Sequence, residues 1–207
     1  MADSSLHGLP RPRLHERGRF AFEVLEMLVF LLAVYALIEM AAPRFIVDGP
    51  SMEPTFHYDE RLIVSRIGYL VNEPQRGDII VFNAPNSQAS DPPLIKRAVG
   101  LPGETLEFRG GQLYINGNLQ PEPYINEACT SCVGAWVLTD DEYFVMGDNR
   151  SNSSDSRKYG PFASFAIFGQ ETLKFWPVSE SDVFDLPEYD FEPIPRSLEM
   201  KRQEFKD

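Results

Sequence analysis

The residues on which enzyme chemistry is most often recognised are scarce in this sequence. It has three histidines in 207 residues, and two of them, His7 and His15, fall within the first 19. Its two cysteines, Cys129 and Cys132, form a single C-x-x-C with no second pair, so the ligands of a structural zinc site are missing. No H-E-x-x-H occurs, which removes the common zinc proteases. Neither a metal nor an organic cofactor is therefore expected. Basic residues are also in deficit, with 19 Lys+Arg against 31 Asp+Glu and a formal net charge of −12. Binding phosphates requires a basic face, so nucleic acid is excluded as a partner. Apart from one apolar run near the N-terminus, long helical periodicity is missing.

What is present in quantity is proline (17), glycine (14) and phenylalanine (15), a composition that suits a turn-rich β protein. Short β-like runs separated by turn residues extend from about 44 to 180. They are 61–70, 77–82, 94–100, 104–108, 112–116, 142–146 and 171–176. Two hairpin turns are expected, at "RGGQ" (109–112) and at Asn116-Gly117, the latter a type I′ signal. The RGD at 76–78 reads as a turn entering a strand.

The apolar run is "FAFEVLEMLVFLLAVYALIEMAA", residues 20–42. As a helix its 23 residues would span roughly 34 Å, enough for a hydrocarbon core of about 30 Å. Glu23, Glu26 and Glu39 then have to sit near the two interfaces. Arg11, Arg13, Arg17 and Arg19 precede the run and only Arg44 closely follows it. By the positive-inside rule the N-terminus is cytoplasmic and everything beyond residue 43 is outside. Pro43 directly after Ala42 makes a poor cleavage site, so an uncleaved single-pass anchor in the cell membrane is expected. The organisation read from the chain is a polar, disordered N-terminus (1–19), an anchor helix (20–42), an extracytoplasmic β domain (43–180) and a mobile tail (181–207). Outside the cytoplasm, Cys129 and Cys132 are expected to form a local disulfide. Its loop is so short that its removal should cost little stability and leave most of any activity.

Chemistry is most legible in "VDGPSMEPTF", residues 47–56. Ser51 lies between Pro50 and Pro54, each of which restricts its own φ and the residue before it. A rigid serine needs a base to become a nucleophile. His57, six residues away, would be about 20 Å off in an extended chain. The β-lactamase pattern S-x-x-K fails because Pro54 occupies the lysine position. Lys96, inside "PPLIKRAVG", is the ectodomain lysine with the most apolar surroundings, and burial would bring its pKa from about 10.4 toward 7–8.

Four stretches together resemble type I signal peptidases (leader peptidases). "GPSMEPT", "RGDIIVF", "LIKRAVGLPGE" and "YFVMGDNRSNSSDSRKYGP" occur in that family's order and approximate spacing, and "FGQETLKFWP" is similar to its closing strand. The resemblance covers about residues 20–178. It implies a mostly antiparallel β-sheet catalytic domain behind one N-terminal transmembrane helix. It also implies a Ser–Lys dyad that removes signal peptides from exported preproteins at the outer membrane face. By position, Ser51 is the nucleophile and Lys96 the general base. Ser153 matches the serine that hydrogen-bonds the lysine amine, Asp155 and Arg157 the pair bracing their loop, and Gly147 the glycine that lets the loop pass the dyad. Phe45, Val47 and Ile95 fall where the family's substrate cleft lies. Gly49 stands where some members have a serine that helps the oxyanion hole. Expected partners are signal peptides and membrane lipid. One rival is a self-cleaving repressor protease, which should carry a DNA-binding segment and no anchor. A second is a membrane-anchored β module that binds partners without chemistry.

Overall fold

A computed structural model describes residues 14–84, 87–88 and 91–176. Most of the polar N-terminus and the tail from Ser181 lie outside the described residues. The chain divides into two units, residues 1–40 and 41–207.

The described part of the first unit is helical. Helix α1 (Leu14–Ala41) begins six residues earlier than the apolar run, so residues 14–19, expected to be disordered, are helical. Leu14, Arg17 and Arg19 are good helix formers, and nothing in 14–19 except Gly18 opposes extension of the run. Within it, Arg19–Ala41 is long and apolar enough to cross a membrane, with a mean hydropathy of 2.3 over its most apolar window.

The second unit is β. A seven-stranded antiparallel sheet is built from β1 (Arg44–Ile46), β2 (Arg61–Ser65), β3 (Ile79–Phe82), β4 (Leu94–Gly100), β9 (Glu142–Met146), β10 (Phe162–Ala163) and β11 (Ile167–Trp176). Their order is β1-β2-β11-β3-β4-β9-β10. A four-stranded sheet, ordered β7-β6-β5-β8, uses β5 (Thr105–Arg109), β6 (Gln112–Ile115), β7 (Asn118–Leu119) and β8 (Gly134–Val137). The mostly β class read from composition and the antiparallel sheets that the resemblance implies are both observed. Both anticipated hairpins form. Gly110 and Gly111 turn β5 into β6, and Asn116 and Gly117 both have positive φ (51° and 84°), as a type I′ turn requires.

The run at 61–70 is longer than the strand it forms. "RLIVSRIGYL" leaves the sheet after Ser65, and Gly68–Val71 forms a helical turn, α2. Tyr69 there donates its hydroxyl to Asp78 at 2.9 Å, a bond that a straight strand would not present. The RGD triplet is internal to the fold. Arg76 pairs with buried Glu104 at 2.5 Å, while Asp78 accepts from Tyr69.

Central strands bury both faces, which explains their continuous apolar runs. On β3, Ile79 and Val81 enter a cluster with Val47, Met52, Phe56, Leu62, Val64 and Ile95. Ile80 and Phe82 enter another with Ala98, Tyr143, Val145 and Phe162. The two sheets share a third cluster, where Phe144 and Met146 of β9 meet Leu106, Phe108, Leu113 and Ile115. Strand β9 is thus packed on both sides up to Met146, and the chain that leaves it at Gly147 starts from a fixed point.

Candidate active site

Ser51 opens a helical turn in which Phe56 N–H donates to Met52 C=O at 2.9 Å. Met52 and Phe56 are both 0% exposed and pin this turn into the core. Burial of each contributes about 1.5–3 kcal/mol, so the rigidity attributed to the flanking prolines is supplied largely by these two apolar anchors. Ser51 C=O accepts from Asn149 N–H at 3.1 Å, tying the turn to the segment beyond β9.

Lys96 lies on β4 between β3 and β9, paired across β3 with Ile80. The pairing of Arg97 with Met146 brings Lys96 alongside Gly147 as the chain leaves the sheet. Lys96 is 3% exposed. Its amine donates to Ser51 Oγ at 2.7 Å and to Ile95 C=O at 2.8 Å. Burial penalises the ammonium and lowers the pKa from the usual 10.5 to about 8, against the opposing pull of the Asp155 and Asp148 carboxylates. A serine hydroxyl is thereby held against an amine that can be neutral near physiological pH, and such an amine can take the hydroxyl proton.

The segment 147–157 closes over this pair. A Cβ at Gly147 would stand 2.3 Å from Ser51 C=O and 2.4 Å from Ser153 Oγ, so only glycine fits without a shift. Asp155 Oδ2 accepts from Gly147 N–H (3.0 Å), Ser153 Oγ (2.8 Å) and Arg157 Nη2 (2.7 Å), and Oδ1 from Arg157 Nε (2.8 Å). It also caps helix α3 (Ser156–Tyr159) by accepting from Arg157 N–H. Burial alone would raise the Asp155 pKa, but the Arg157 fork and the bonds from Gly147 and Ser153 hold it below the usual carboxylate range. Ser153 differs from expectation. Its hydroxyl donates to Asp155 at 2.8 Å, while the Lys96 amine has Ser51 Oγ and Ile95 C=O as its partners.

A second buried pair went unread in the sequence. Arg97 forks onto Asp148 at 2.8 and 2.6 Å, and Thr55 Oγ1 also donates to Asp148 at 2.5 Å. These bonds join β4, the Ser51 turn and the 147–157 segment. Arg97 further stacks over the Tyr124 ring, 4.3 Å from its centroid. Cys129 and Cys132 are joined as a disulfide, and both sulfurs accept from Arg157 Nη1, at 3.3 and 3.1 Å.

His57 takes no part in the hydrogen bonds of Ser51 and Lys96. Its ring is 61% exposed and lies 3.7 Å from Glu53. Lys174 pairs with Glu60 at 3.3 Å. Val47 and Ile95 are 1% and 5% exposed and share the Met52–Phe56 cluster, with Phe45 packed against it. Val47 and Ile95 are thus side chains of this apolar cluster. Strand β1 is a sheet edge, and the β9 pairing of β4 reaches only to Arg97, so Leu94 and Ile95 have an open side toward that strand. Gly49 has φ +108°, a conformation strained for any other residue. Ser51 N–H donates to nothing among the described residues. Those residues contain no cluster of three side chains able to hold a metal ion.

A family model described as signal peptidase, peptidase S26, matches residues 21–176. The chain belongs to the signal peptidase family. It is accordingly a hydrolase of the serine endopeptidase class. Among similar curated proteins, signal peptidase I of Bacillus amyloliquefaciens is 38% identical over 165 residues, which cover 74% of this chain and 86% of that protein. Signal peptidase I S of Bacillus subtilis (strain 168) is 40% identical over 148 residues, 66% of this chain and 78% of the relative. Probable signal peptidase I-2 of a Synechocystis strain is 37% identical over 151 residues, 72% and 69% respectively. A solved signal peptidase I of Enterococcus faecalis V583 is 34% identical and covers 48% of this chain and 97% of that structure, with a TM-score of 0.43.

Proposed function

We propose that this protein is a membrane-anchored type I signal peptidase that removes N-terminal signal peptides from exported preproteins with a Ser51–Lys96 dyad. The observation that carries this reading is the 2.7 Å hydrogen bond between a buried lysine amine and the hydroxyl of a serine on a core-anchored turn. Neutral Lys96 accepts the Ser51 proton as Oγ attacks the scissile carbonyl, then gives that proton to the leaving amine. It next takes a proton from the water that releases the acyl-enzyme. Ser51 N–H, which donates to nothing else among the described residues, stabilises the oxyanion. The Asp155–Arg157 pair, Ser153 and Gly147 hold the covering segment in register.

The preprotein binds as an extended strand between the β1 edge and the open side of Leu94–Ile95. The shallow floor formed by Val47 and Ile95 admits only small side chains and selects A-x-A sites. Residues 20–42 anchor the enzyme, the arginines before them keep the N-terminus cytoplasmic, and the catalytic domain (43–180) faces outward, where its substrates emerge. The partners are signal peptides and lipid.

The test is incubation of the purified full chain with a preprotein in detergent or liposomes, reading the cut position by mass. Ser51→Ala and Lys96→Ala should each abolish processing with the fold intact, and His57→Ala should not. Loss of processing in a folded His57→Ala protein would overturn the dyad. A purified wild type that binds preproteins without cutting them would favour the non-catalytic binding module instead.

A further inference from the structure

The segment 120–132 contributes nothing to the dyad directly, yet it grips the covering segment at two separated arginines. Its start is fixed by Gln120 N–H donating to Leu113 C=O at 2.8 Å. Glu122 then takes the Arg150 guanidinium in a fork at 2.8 and 2.6 Å. Tyr124, 3% exposed, lies between Arg97 and Arg150, whose guanidinium carbons stand 4.3 and 5.7 Å from its ring centroid. At the other end the Cys129–Cys132 disulfide sits under Arg157 Nη1. Both cysteines are buried among Phe108, Leu113, Phe144 and their neighbours. Cys129 C=O also presses on Gly111, where an added Cβ would approach to 3.0 Å.

We propose that the Cys129–Cys132 bridge is a positioning group for the dyad, seating the Arg157 guanidinium so that Asp155 keeps the 147–155 segment closed on Ser51 and Lys96.

The chain of contacts is continuous. The bridge meets Arg157 Nη1, Arg157 forks onto Asp155, and Asp155 holds Gly147 N–H and Ser153. Gly147 in turn lies against Ser51 C=O. Two unbonded sulfurs must stand apart at van der Waals contact instead of a bond length, so breaking the bond moves at least one sulfur from its place under that N–H. Alanines would leave that N–H facing a void. Arg157 Nη1 would keep its bond to Arg150 C=O at 2.7 Å, so the guanidinium would loosen without leaving. This contact makes the bridge more consequential for activity than its short loop implies for stability.

The charges around Lys96 give the proposal a readout that a purely structural role would not move. Lys96 faces Asp155 and Asp148, and each carboxylate is neutralised by its own arginine, Arg157 or Arg97. Loosening Arg157 leaves more of the Asp155 charge acting on Lys96, which favours the ammonium and moves the acid limb of the pH profile to higher pH.

The inference rests on the dyad reading, which Ser51→Ala tests separately. A Ser51→Ala protein that still cleaves would overturn the function itself, whereas the following measurements bear on the bridge alone. In the full chain in detergent, Cys129→Ala with Cys132→Ala should lower kcat about tenfold, a part of the roughly hundredfold that a 1 Å misplacement of a catalytic group costs. KM should hold, because the substrate edges on β1 and β4 do not touch the bridge, and the acid limb should shift upward. In an Arg157→Lys background, which lacks the Nη1 donor, removing the bridge should cost less than about twofold. An unchanged kcat and acid limb in the folded double variant, or costs that add fully to those of Arg157→Lys, would overturn the proposal. If the double variant does not fold, the wild type can be reduced with enough dithiol to free both thiols, its fold followed by circular dichroism. The dithiol is oxidised to its cyclic disulfide as the protein gains two thiols. Loss of kcat that returns on reoxidation supports the positioning role, and full kcat with both thiols counted free rejects it.

Discussion

Raising the pH should switch this enzyme on, and the structure sets where. A solvated lysine with a pKa of 10.5 is neutral in only about three molecules in ten thousand at pH 7, whereas one with a pKa of about 8 is neutral in about one in ten. Burial therefore supplies about 300 times more competent base at neutral pH. Below pH 7, kcat/KM should climb about tenfold per pH unit, bend near pH 8 and level off above pH 9. The same depression has a cost in stability. Holding the ammonium in the folded site is worse than in water by about 3 kcal/mol, taking 1.36 kcal/mol for each pH unit between 8 and 10.5. Because the folded pKa lies below the unfolded one, the unfolded chain binds more protons between pH 8 and 10.5, and stability rises with pH across that window. Below pH 8 the penalty is constant.

Lys96→Met removes both effects together. It should be inactive at every pH and more stable than the wild type at pH 7, with the advantage shrinking from pH 8 to 10.5. The assay is kcat/KM for a signal-peptide substrate without titrating groups, measured from pH 6 to 10 in detergent, alongside chemical denaturation of both proteins. A wild-type profile flat over that range refutes Lys96 as the base. An active Lys96→Met protein refutes it more directly. A stability difference independent of pH would show that the lysine is not desolvated.

Gly147→Ala should lower kcat about a hundredfold, because its Cβ would have to displace Ser51 C=O or Ser153; kinetics on a variant of near-normal melting temperature checks this. Arg97→Ala should destabilise by about 3–5 kcal/mol, since Asp148 is left charged, buried and unpaired. Chemical denaturation at pH 7 reads that loss, and a cost below about 1 kcal/mol would show that the pair is open to water.

The parts of the fold that could be read in advance are those whose residues decide their own environment. "IIVF" at 79–82 and "EYFVM" at 142–146 are buried on both faces, and a continuous apolar run has few other places to go. Asn116-Gly117 declared its turn because few other dipeptides accept two positive φ values. Strands 44–46, 118–119, 134–137 and 162–163 gave no such signal. They are two to four residues long, and all but the half-buried 162–163 are mostly exposed, so the neighbour they pair with defines them. Scarcity narrowed the search, since the ectodomain has one histidine and one lysine in an apolar strand, but it was the resemblance to type I signal peptidases that implied the roles of Ser51 and Lys96. The 2.7 Å bond between Lys96 and Ser51 spans 45 residues that no spacing rule covers. The supporting groups were the harder part. Arg97 finds Asp148 across 51 residues and Arg157 finds Cys129 across 28. Each partner was visible as a residue type, but a charged group reads as a solvated surface until the fold buries it. What turns Arg157 from a surface residue into a link between a disulfide and the Asp155 carboxylate is the packing of the two sheets around Phe144 and Met146. That packing places the Cys129–Cys132 loop beside the point where β9 releases the chain at Gly147.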